Sequence, residues 1–157
     1  MADDPARRSR PFTSAGVLFF DASDRVMLVR PTYKPGWDIP GGYVERDESP
    51  LAACYREVRE ELGIAPPIGR LLVVDWAPHP NEGDKVLYVF DGGELAPGDL
   101  ATVRLDPGEL AEYAFHTEEE AMGVLVPRLA RRVTAGVRAR REGLTVYMEH
   151  GQTPDHG

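Results

Sequence analysis

The sequence has little of what marks secreted or membrane proteins. It contains one cysteine, Cys54, so no disulfide can form within the chain and nothing calls for an oxidising compartment. Its longest apolar run, 15–20, is far shorter than the roughly 20 residues that a membrane-spanning helix needs. The polar N-terminus lacks the apolar core of a signal peptide. We therefore expect a cytoplasmic protein that does not bind membranes.

Positive charge is also scarce. The 157 residues include 18 lysines and arginines against 26 aspartates and glutamates, which gives a net charge of −8. An acidic surface repels nucleic acid polymers and anionic membranes, so we expect neither as a partner. If the substrate is itself an anion, a bound metal ion is the obvious source of positive charge.

What is present fits one ordinary globular domain. Hydrophobic residues make up 42% of the chain and charged residues 28%, which are usual values. Polar ends that contain Pro or Gly predict flexible segments at 1–10 and 150–157, and the single domain is predicted over 11–149.

Apolar runs and turn signals predict a mixed α/β fold. Strands are predicted over 13–20, 25–30, 70–76, 85–90 and 112–116. Helices are predicted over 49–62 and 126–141. Because the helices fall between groups of strands, we expect a mixed sheet with helices on its faces.

The first of these helices carries two opposed faces. The apolar stripe that should pack against the core consists of Leu51, Tyr55, Val58 and Leu62. Glu57, Glu60 and Glu61 gather on another face, and the small residues Ala53 and Cys54 are expected to leave room beside them. Cys54 is interpreted as a packing residue rather than a nucleophile.

Three glutamates on one helix face are unfavourable without a partner. Like charges three and four residues apart each cost a few tenths of a kcal/mol, and the helix dipole disfavours anions near the C-terminus. Two carboxylates about 5 Å apart repel by roughly 3 kcal/mol at an effective dielectric constant near 20. A divalent cation would convert this repulsion into attraction, and carboxylate oxygens are ligands that Mg²⁺ prefers. A solvated acidic face, relieved by Arg56, stays open as the alternative.

Residues upstream of the glutamates extend the candidate site. Gly41 and Gly42 let the backbone approach closely, so a carbonyl could join the metal ligands. Glu48 and Arg56 have opposite charges and are expected to pair, which would pin the loop against the helix.

Together these residues match the Nudix box, G-x5-E-x7-R-E-U-x-E-E-x-G-U, where U is a bulky aliphatic residue. The matching residues are Gly42, Glu48, Arg56, Glu57, Val58, Glu60, Glu61, Gly63 and Ile64. The chain therefore resembles the Nudix hydrolase family, and the flanking residues 37–42 and the strand order extend this resemblance to most of 12–142.

The resemblance implies an α/β/α sandwich with a central mixed sheet, and hydrolysis of a nucleoside diphosphate linked to another group. It implies that Glu57, Glu60 and Glu61 bind Mg²⁺, for which Mn²⁺ could substitute, with the Gly41 carbonyl as a fourth ligand. Family relatives are commonly dimers, so a homodimer is expected.

The resemblance also assigns catalytic roles. Glu48 and Arg56 become an orienting ion pair, and Glu57 or a later acid deprotonates the attacking water. Among later acids we choose Glu109 first and Glu112 second, with ordinary surface glutamates as the alternative.

The residues that select the substrate carry weaker signals. Tyr33, Trp37 and Trp76 are candidates for stacking on a base, although such aromatic residues more often pack against the core. Pro78 and Pro80 give weak support to an ADP-ribose substrate, as in relatives that cleave it. We interpret the basic side of the last helix as a solvated face, with a phosphate or partner contact as second choice; its arginines are Arg128, Arg131, Arg132, Arg138, Arg140 and Arg141.

The resemblance thus predicts a Mg²⁺-dependent pyrophosphohydrolase that cleaves a diphosphate linkage in a nucleoside triphosphate, including an oxidised one, or in a related nucleoside diphosphate derivative. An ADP-ribose or nucleotide-sugar pyrophosphatase is the alternative within the family. A non-catalytic, nucleotide-sensing Nudix module is the alternative from another class, and the presence of all three glutamates favours the enzyme.

Overall fold

The structure is a computed structural model that describes residues 2–155 and contains a mixed β-sheet flanked by helices. The strands are β1 (Phe12–Phe20), β2 (Val26–Pro31), β3 (Gly41–Tyr43), β4 (Leu71–Trp76), β5 (Lys85–Glu94), β6 (Leu110–His116) and β7 (Val146–Glu149). The helices are α1 (Pro50–Leu62), α2 (Pro97–Thr102), α3 (Glu118–Val124) and α4 (Pro127–Glu142), with a 3₁₀ turn at Pro5–Arg7. Within the described residues, no helix combines the length and the apolar character that crossing a membrane requires.

β1 is the central strand, and its two edges differ. One edge pairs in parallel with β5, from Phe12 opposite Lys85 to Phe20 opposite Glu94. The other edge is divided between β3, which runs antiparallel to residues 14–16, and β2, which meets β1 at Phe20. The order of the sheet is β6-β2-β1-β5-β4-β7, with β3 beside β1. This division sets the glycines of β3 directly against the first half of β1.

Alternation along β1 produces the two layers of the core. Successive side chains of a strand point to opposite faces of the sheet. Val17 and Phe19 therefore pack with α1, whereas Leu18 and Phe20 pack with α3 and α4, and all four are buried. The predicted α/β/α sandwich with a central mixed sheet is confirmed.

All the predicted strands and helices are present, with ends that coincide or differ by at most four residues. Four elements were not predicted: β3, β7, α2 and α3. β3 has three residues, two of them glycines, so it carries no strand pattern and depends on β1 for its pairing. α3 did carry a readable signal, because Thr117 and Glu120 form a capping box at its start.

The interpretation of the last helix as having a solvated basic side is wrong for Arg132. This side chain is buried on α4, and its Nε and Nη2 atoms each lie 2.8 Å from Oδ2 of Asp75. Asp75 is fully buried on β4 and also accepts the N–H of Gly151 at 3.1 Å. The buried carboxylate of Asp75 therefore provides a partner for Arg132 within the core. The periodicity of α4 alone cannot predict this pairing, because Asp75 lies on a distant strand.

The flexible ends and the domain limits of 11–149 stay predictions. Met1, His156 and Gly157, which belong to those ends, lie outside the described residues. Within the described part of the N-terminal end, Ser9 Oγ donates a hydrogen bond to Asp84 at 2.7 Å.

We predict that Asp75→Ala destabilises the fold by about 3–5 kcal/mol, because it leaves the buried charge of Arg132 without a partner. Urea unfolding followed by circular dichroism measures the change. The double variant Asp75→Ala/Arg132→Met should recover much of the loss, since the unpaired charge is removed as well. A single variant as stable as the wild type would contradict this account of the pair.

Candidate active site

α1 is capped at both ends, which gives the side chains on it defined positions. Ser49 Oγ accepts the N–H of Ala52 at 3.0 Å, and Pro50 occupies the first turn. Gly63 ends the helix with a φ of +69°, a conformation that glycine adopts without strain. Both ends agree with the sequence prediction.

The apolar stripe of α1 packs against the core as predicted. The expectation that Ala53 and Cys54 leave open space beside the glutamates is wrong, because both are fully buried. β1 passes so close that the Cys54 Sγ atom lies 3.6 Å from the carbonyl oxygen of Gly16. Burial, helped by the charge of Glu57, raises the pKa of the Cys54 thiol to about 12, which agrees with a packing role.

Carboxylates from α1, from the loop before it and from the turn before β6 line one cavity of about 410 Å³, which we call the acidic cavity. Its lining carboxylates are Glu45, Glu57, Glu61 and Glu109. Burial and the adjacent Glu57 raise the pKa of Glu61 to about 9, although the N–H of Gly41 donates to Glu61 Oε1 at 3.2 Å. Burial and the charge of Glu57 likewise raise the pKa of Glu109. Like charges are therefore crowded at this point of the structure.

The two glycines of β3 allow the strand to lie directly against these carboxylates. A Cβ atom at Gly42 would lie 2.5 Å from Oε1 of Glu57. A Cβ atom at Gly41, where φ is +149°, would lie 2.2 Å from the carbonyl oxygen of Ala15. Larger residues would thus displace either Glu57 or the strand. The Gly41 carbonyl as a metal ligand stays a prediction.

Arg56 links the loop before α1 to the glutamates on it. Its Nε and Nη2 atoms donate to Glu48 Oε2 and Oε1 at 2.8 and 2.9 Å, and Nη2 also donates to the Tyr43 carbonyl at 3.0 Å. This guanidinium lowers the pKa of Glu48 to about 2. Its Nη1 atom donates to Glu57 at 2.9 Å and to Glu60 at 3.3 Å. The expected pairing of Glu48 and Arg56 is present, while its catalytic role stays a prediction.

Two of the glutamates singled out in the sequence lie apart from the acidic cavity. Glu60 is half exposed, and its carboxylate faces the arginine on its own helix. Glu112 is exposed on β6 and pairs with Arg30 at 3.0 Å. Of the two later acids, Glu109 lies at the cavity, and its catalytic role stays a prediction.

A second cavity, of about 480 Å³, adjoins the first, and we call it the side cavity. The two cavities share Tyr33 and the strand Gly41–Tyr43. Apolar residues of the side cavity include Ile39, Leu87, Val89 and Leu129, and its lysines and arginines are Lys34, Lys85, Arg128 and Arg132. Sequence reasoning missed both lysines as cavity residues because a loop and the start of a strand carry no periodic signal. Arg128 and Arg132 were singled out in the sequence, but as part of a solvated face of the last helix.

Of the three aromatic candidates for base stacking, the structure places Tyr33 at these cavities. Tyr33 is 73% exposed and lines both of them. Trp37 packs edge-on against His116, with ring centroids 5.0 Å apart, and joins the core. Trp76 ends β4, and in the described part of the chain neither tryptophan lines either cavity. A large indole ring gains more by burial in the core than at a rim.

The family of this protein follows from its match to a known domain model. A model of the NUDIX domain matches residues 10–136, which is most of the chain. The chain belongs to the Nudix family. The resemblance inferred from the Nudix box is thus confirmed, and that box supplies two of the carboxylates of the acidic cavity, Glu57 and Glu61.

Curated Nudix relatives match part of the chain. An RNA pyrophosphohydrolase from Halorhodospira halophila is 40% identical over 53 residues, which cover 34% of this chain and 29% of that protein. Human diphosphoinositol polyphosphate phosphohydrolase 3-beta is 44% identical over 76 residues, or 48% of this chain and 46% of that protein. These matches span less than half the length of either relative.

A solved Nudix-type structure matches nearly the whole chain. The crystal structure of the MutT protein from Methanosarcina mazei Go1 superposes with a TM-score of 0.68 at 28% identity. The superposition covers 87% of this chain and 98% of that one. The likeness in fold therefore extends well beyond the Nudix box.

Nudix hydrolases generally use divalent metal ions, and the carboxylates of this protein fit one. In the part of the chain that the structure describes, no three His, Cys, Asp or Glu side chains already converge as ligands. The Nη1 atom of Arg56 instead donates to Glu57 at 2.9 Å and to Glu60 at 3.3 Å. Burial is the main cause of the raised pKa of Glu61 and the adjacent Glu57 adds to it, so a second negative charge at this point costs free energy. Glu57 and Glu61 would hold the ion, joined by Glu60 once it leaves Arg56.

We predict that Glu61→Gln stabilises the metal-free protein at alkaline pH. The folded-state pKa of Glu61 is raised from 4.5 to about 9, so folding retains a proton that the unfolded chain releases. The free energy of unfolding of the wild type therefore falls as the pH rises from about 4.5 to 9. Glu61→Gln has no carboxyl group to titrate at this position, so its free energy of unfolding should not show this decrease.

Melting curves in EDTA across that range measure the effect. Glu119→Gln, at an exposed site on α3, serves as the matched control and should follow the wild type. Parallel pH profiles for the wild type and Glu61→Gln would contradict the prediction.

Proposed function

We propose that this Nudix protein is a divalent-metal-dependent pyrophosphohydrolase that cleaves a diphosphate linkage in a nucleoside triphosphate or a related nucleoside diphosphate derivative. Mg²⁺ is the expected ion, with Mn²⁺ as a substitute. The observation that carries the proposal is the shared wall of the acidic cavity and the side cavity, formed by Tyr33 and Gly41–Tyr43. A substrate with its polyphosphate in the first and its nucleoside in the second would span both.

The chemistry follows from charge. A diphosphate linkage is anionic and repels both hydroxide and the carboxylates of the acidic cavity. A bound divalent cation neutralises phosphate oxygens and lowers the pKa of a coordinated water. Glu57 and Glu61 would hold this ion, while Arg56 orients Glu57 through its 2.9 Å hydrogen bond. Glu48 in turn fixes Arg56 through two hydrogen bonds of its own.

The attacking water must also lose a proton. Glu109 lines the acidic cavity from the turn before β6, so it reaches the site from a different element than the ion-holding glutamates of α1. This placement supports Glu109 as the proton acceptor, because its carboxylate is free of the hydrogen bonds that engage Glu57 in the described residues. Glu57 remains the alternative acceptor.

Other substrates stay in competition with nucleoside triphosphates. ADP-ribose and nucleotide sugars contain the same linkage, and the side cavity could receive their nucleoside equally. The two curated relatives are named for RNA and for diphosphoinositol polyphosphate, so both substrate types belong in the test although the acidic composition argues against an RNA polymer. The homodimer and the cytoplasmic location also remain predictions.

A non-catalytic, nucleotide-sensing module is the alternative from another class. Ligand binding alone would not require every glutamate of the box. This chain has Glu57, Glu60 and Glu61 together with the Glu48–Arg56 pair, which favours the hydrolase.

We predict Mg²⁺-dependent turnover on a panel of nucleoside triphosphates, oxidised guanine nucleotides, ADP-ribose, nucleotide sugars, diphosphoinositol phosphates and 5′-triphosphorylated RNA. Product analysis by ion-exchange chromatography identifies the cleaved bond. Glu57→Gln, Glu60→Gln and Glu61→Gln should each lower turnover by about 100-fold or more, since they remove carboxylates at the centre of charge stabilisation.

The matched control is Glu112→Gln, whose side chain pairs with Arg30 away from the cavity and whose turnover should stay near that of the wild type. Glu109→Gln distinguishes the two proposed proton acceptors. Near-wild-type rates in the Glu57 and Glu61 variants, with the fold intact by circular dichroism, would refute the assignment.

A further inference from the structure

Arg128 stands out among the charged residues of the side cavity. Its Nε and Nη2 atoms are buried, and neither has a hydrogen-bond partner within the described residues 2–155. The other lysines and arginines of the cavity have partners at 2.6–3.0 Å: Lys34 with Asp38, Lys85 with Glu82, and Arg132 with Asp75. Arg128 therefore carries the uncompensated charge of this cavity.

An unpaired guanidinium in such a place costs free energy, because the water it gives up is not replaced by protein acceptors. Its neighbourhood adds to the cost. Arg128 lies one turn of α4 before Arg132, and like charges at this spacing repel. Asp75 neutralises only Arg132. The missing acceptor of Arg128 is thus expected to come from a ligand in the cavity that it lines.

The identity of the unpaired nitrogens restricts that ligand. Nε and Nη2 form the side of the guanidinium that donates two parallel hydrogen bonds to two adjacent acceptor atoms. Arg56 uses the same two nitrogens in this protein to hold both oxygens of Glu48, at 2.8 and 2.9 Å. Within the described residues neither of these two nitrogens of Arg128 has a hydrogen-bond partner, so both N–H donors are left for a ligand.

The walls of the side cavity restrict the ligand further. Ile39, Leu87, Val89 and Leu129 present apolar surface, which suits the faces of a flat aromatic ring. A phosphate buried there would need several donors to replace its water, and Arg128 is the one described lysine or arginine of this cavity without an ion-pair partner. An aromatic ring with two adjacent hydrogen-bond acceptors on one edge would pair with both Arg128 nitrogens and pack its faces against the apolar residues.

We propose that Arg128 determines base specificity and selects a guanine-type base through its O6 and N7 atoms, the pair that arginine forks recognise in nucleic acids. Adenine has an amino donor beside N7, and 8-oxoguanine carries a hydrogen on N7. Each of these bases would place a hydrogen-bond donor opposite an N–H group of Arg128, so we expect both to bind more weakly than guanine. The nature of the substrate in this proposal rests on the proposed function, but binding of the base requires no hydrolysis.

Calorimetry in metal-free buffer tests the proposal with nucleoside monophosphates. The wild type should bind GMP about 5- to 150-fold more tightly than AMP, the range expected for one bidentate contact, and 8-oxo-GMP should bind like AMP. Arg128→Met removes the donors at similar length, and should reduce GMP affinity to that for AMP while leaving AMP unchanged. The matched control is Arg138→Met, at an exposed site on the same helix, which should keep the preference.

The stability of the variants separates recognition from a structural role. Because the Nε and Nη2 atoms of Arg128 have no partner to lose within residues 2–155, Arg128→Met should melt at or above the temperature of the wild type. Equal binding of GMP and AMP by the wild type, or a preference that survives Arg128→Met, overturns the proposal. Binding of ribose 5-phosphate that depends on Arg128 as strongly as GMP binding does also overturns it, since the fork would then hold phosphate.

Turnover is measured separately on the same proteins. A guanine preference that depends on Arg128, without Mg²⁺-dependent hydrolysis of any substrate, supports the assignment of Arg128 and refutes the proposed function. Hydrolysis without such a preference supports the proposed function and refutes the assignment of Arg128.

Discussion

The burial of Glu61 beside Glu57 is the constraint on which the site depends. The helix α1, which carries both carboxylates, is capped at its two ends. Its buried residues Ala53 and Cys54 pack against the central strand β1. On the other side of the acidic cavity, β3 lies directly against these carboxylates because Gly41 and Gly42 have no side chains. The two carboxylates cannot separate without moving a packed element, so ionising both of them in the metal-free protein costs free energy. A divalent cation is the agent that would relieve it.

The fold separates two electrostatic environments across one short strand. β3 borders the acidic cavity, where carboxylates accumulate, and also the side cavity, where cations do. A chain with a net charge of −8 therefore has a local region suited to an electron-rich ligand. Because the anionic polyphosphate is proposed to lie in the acidic cavity, its compatibility with the carboxylates there depends on a bound divalent cation.

Features that depend on local spacing could be predicted from the sequence. The caps of α1, the pairing of Glu48 with Arg56 and the family itself all follow from residues within one short segment. Features that depend on distant parts of the chain could not be predicted. Glu60 and Glu61 look alike in the sequence, yet only Glu61 is buried, because only it faces the backbone of Gly41. The burial of Arg132 and the core position of Trp37 likewise depend on β4 and on His116.

The central claim is that crowded carboxylates of the Nudix box form a divalent cation site. Titration of Mn²⁺ followed by electron paramagnetic resonance, with and without nucleotide, tests it most directly. The wild type should bind Mn²⁺ with a defined stoichiometry, and Glu57→Gln and Glu61→Gln should each weaken binding by about tenfold or more, as loss of a charged ligand requires. Absence of Mn²⁺ binding even with nucleotide present, or equal binding by the wild type and both variants, would contradict the claim.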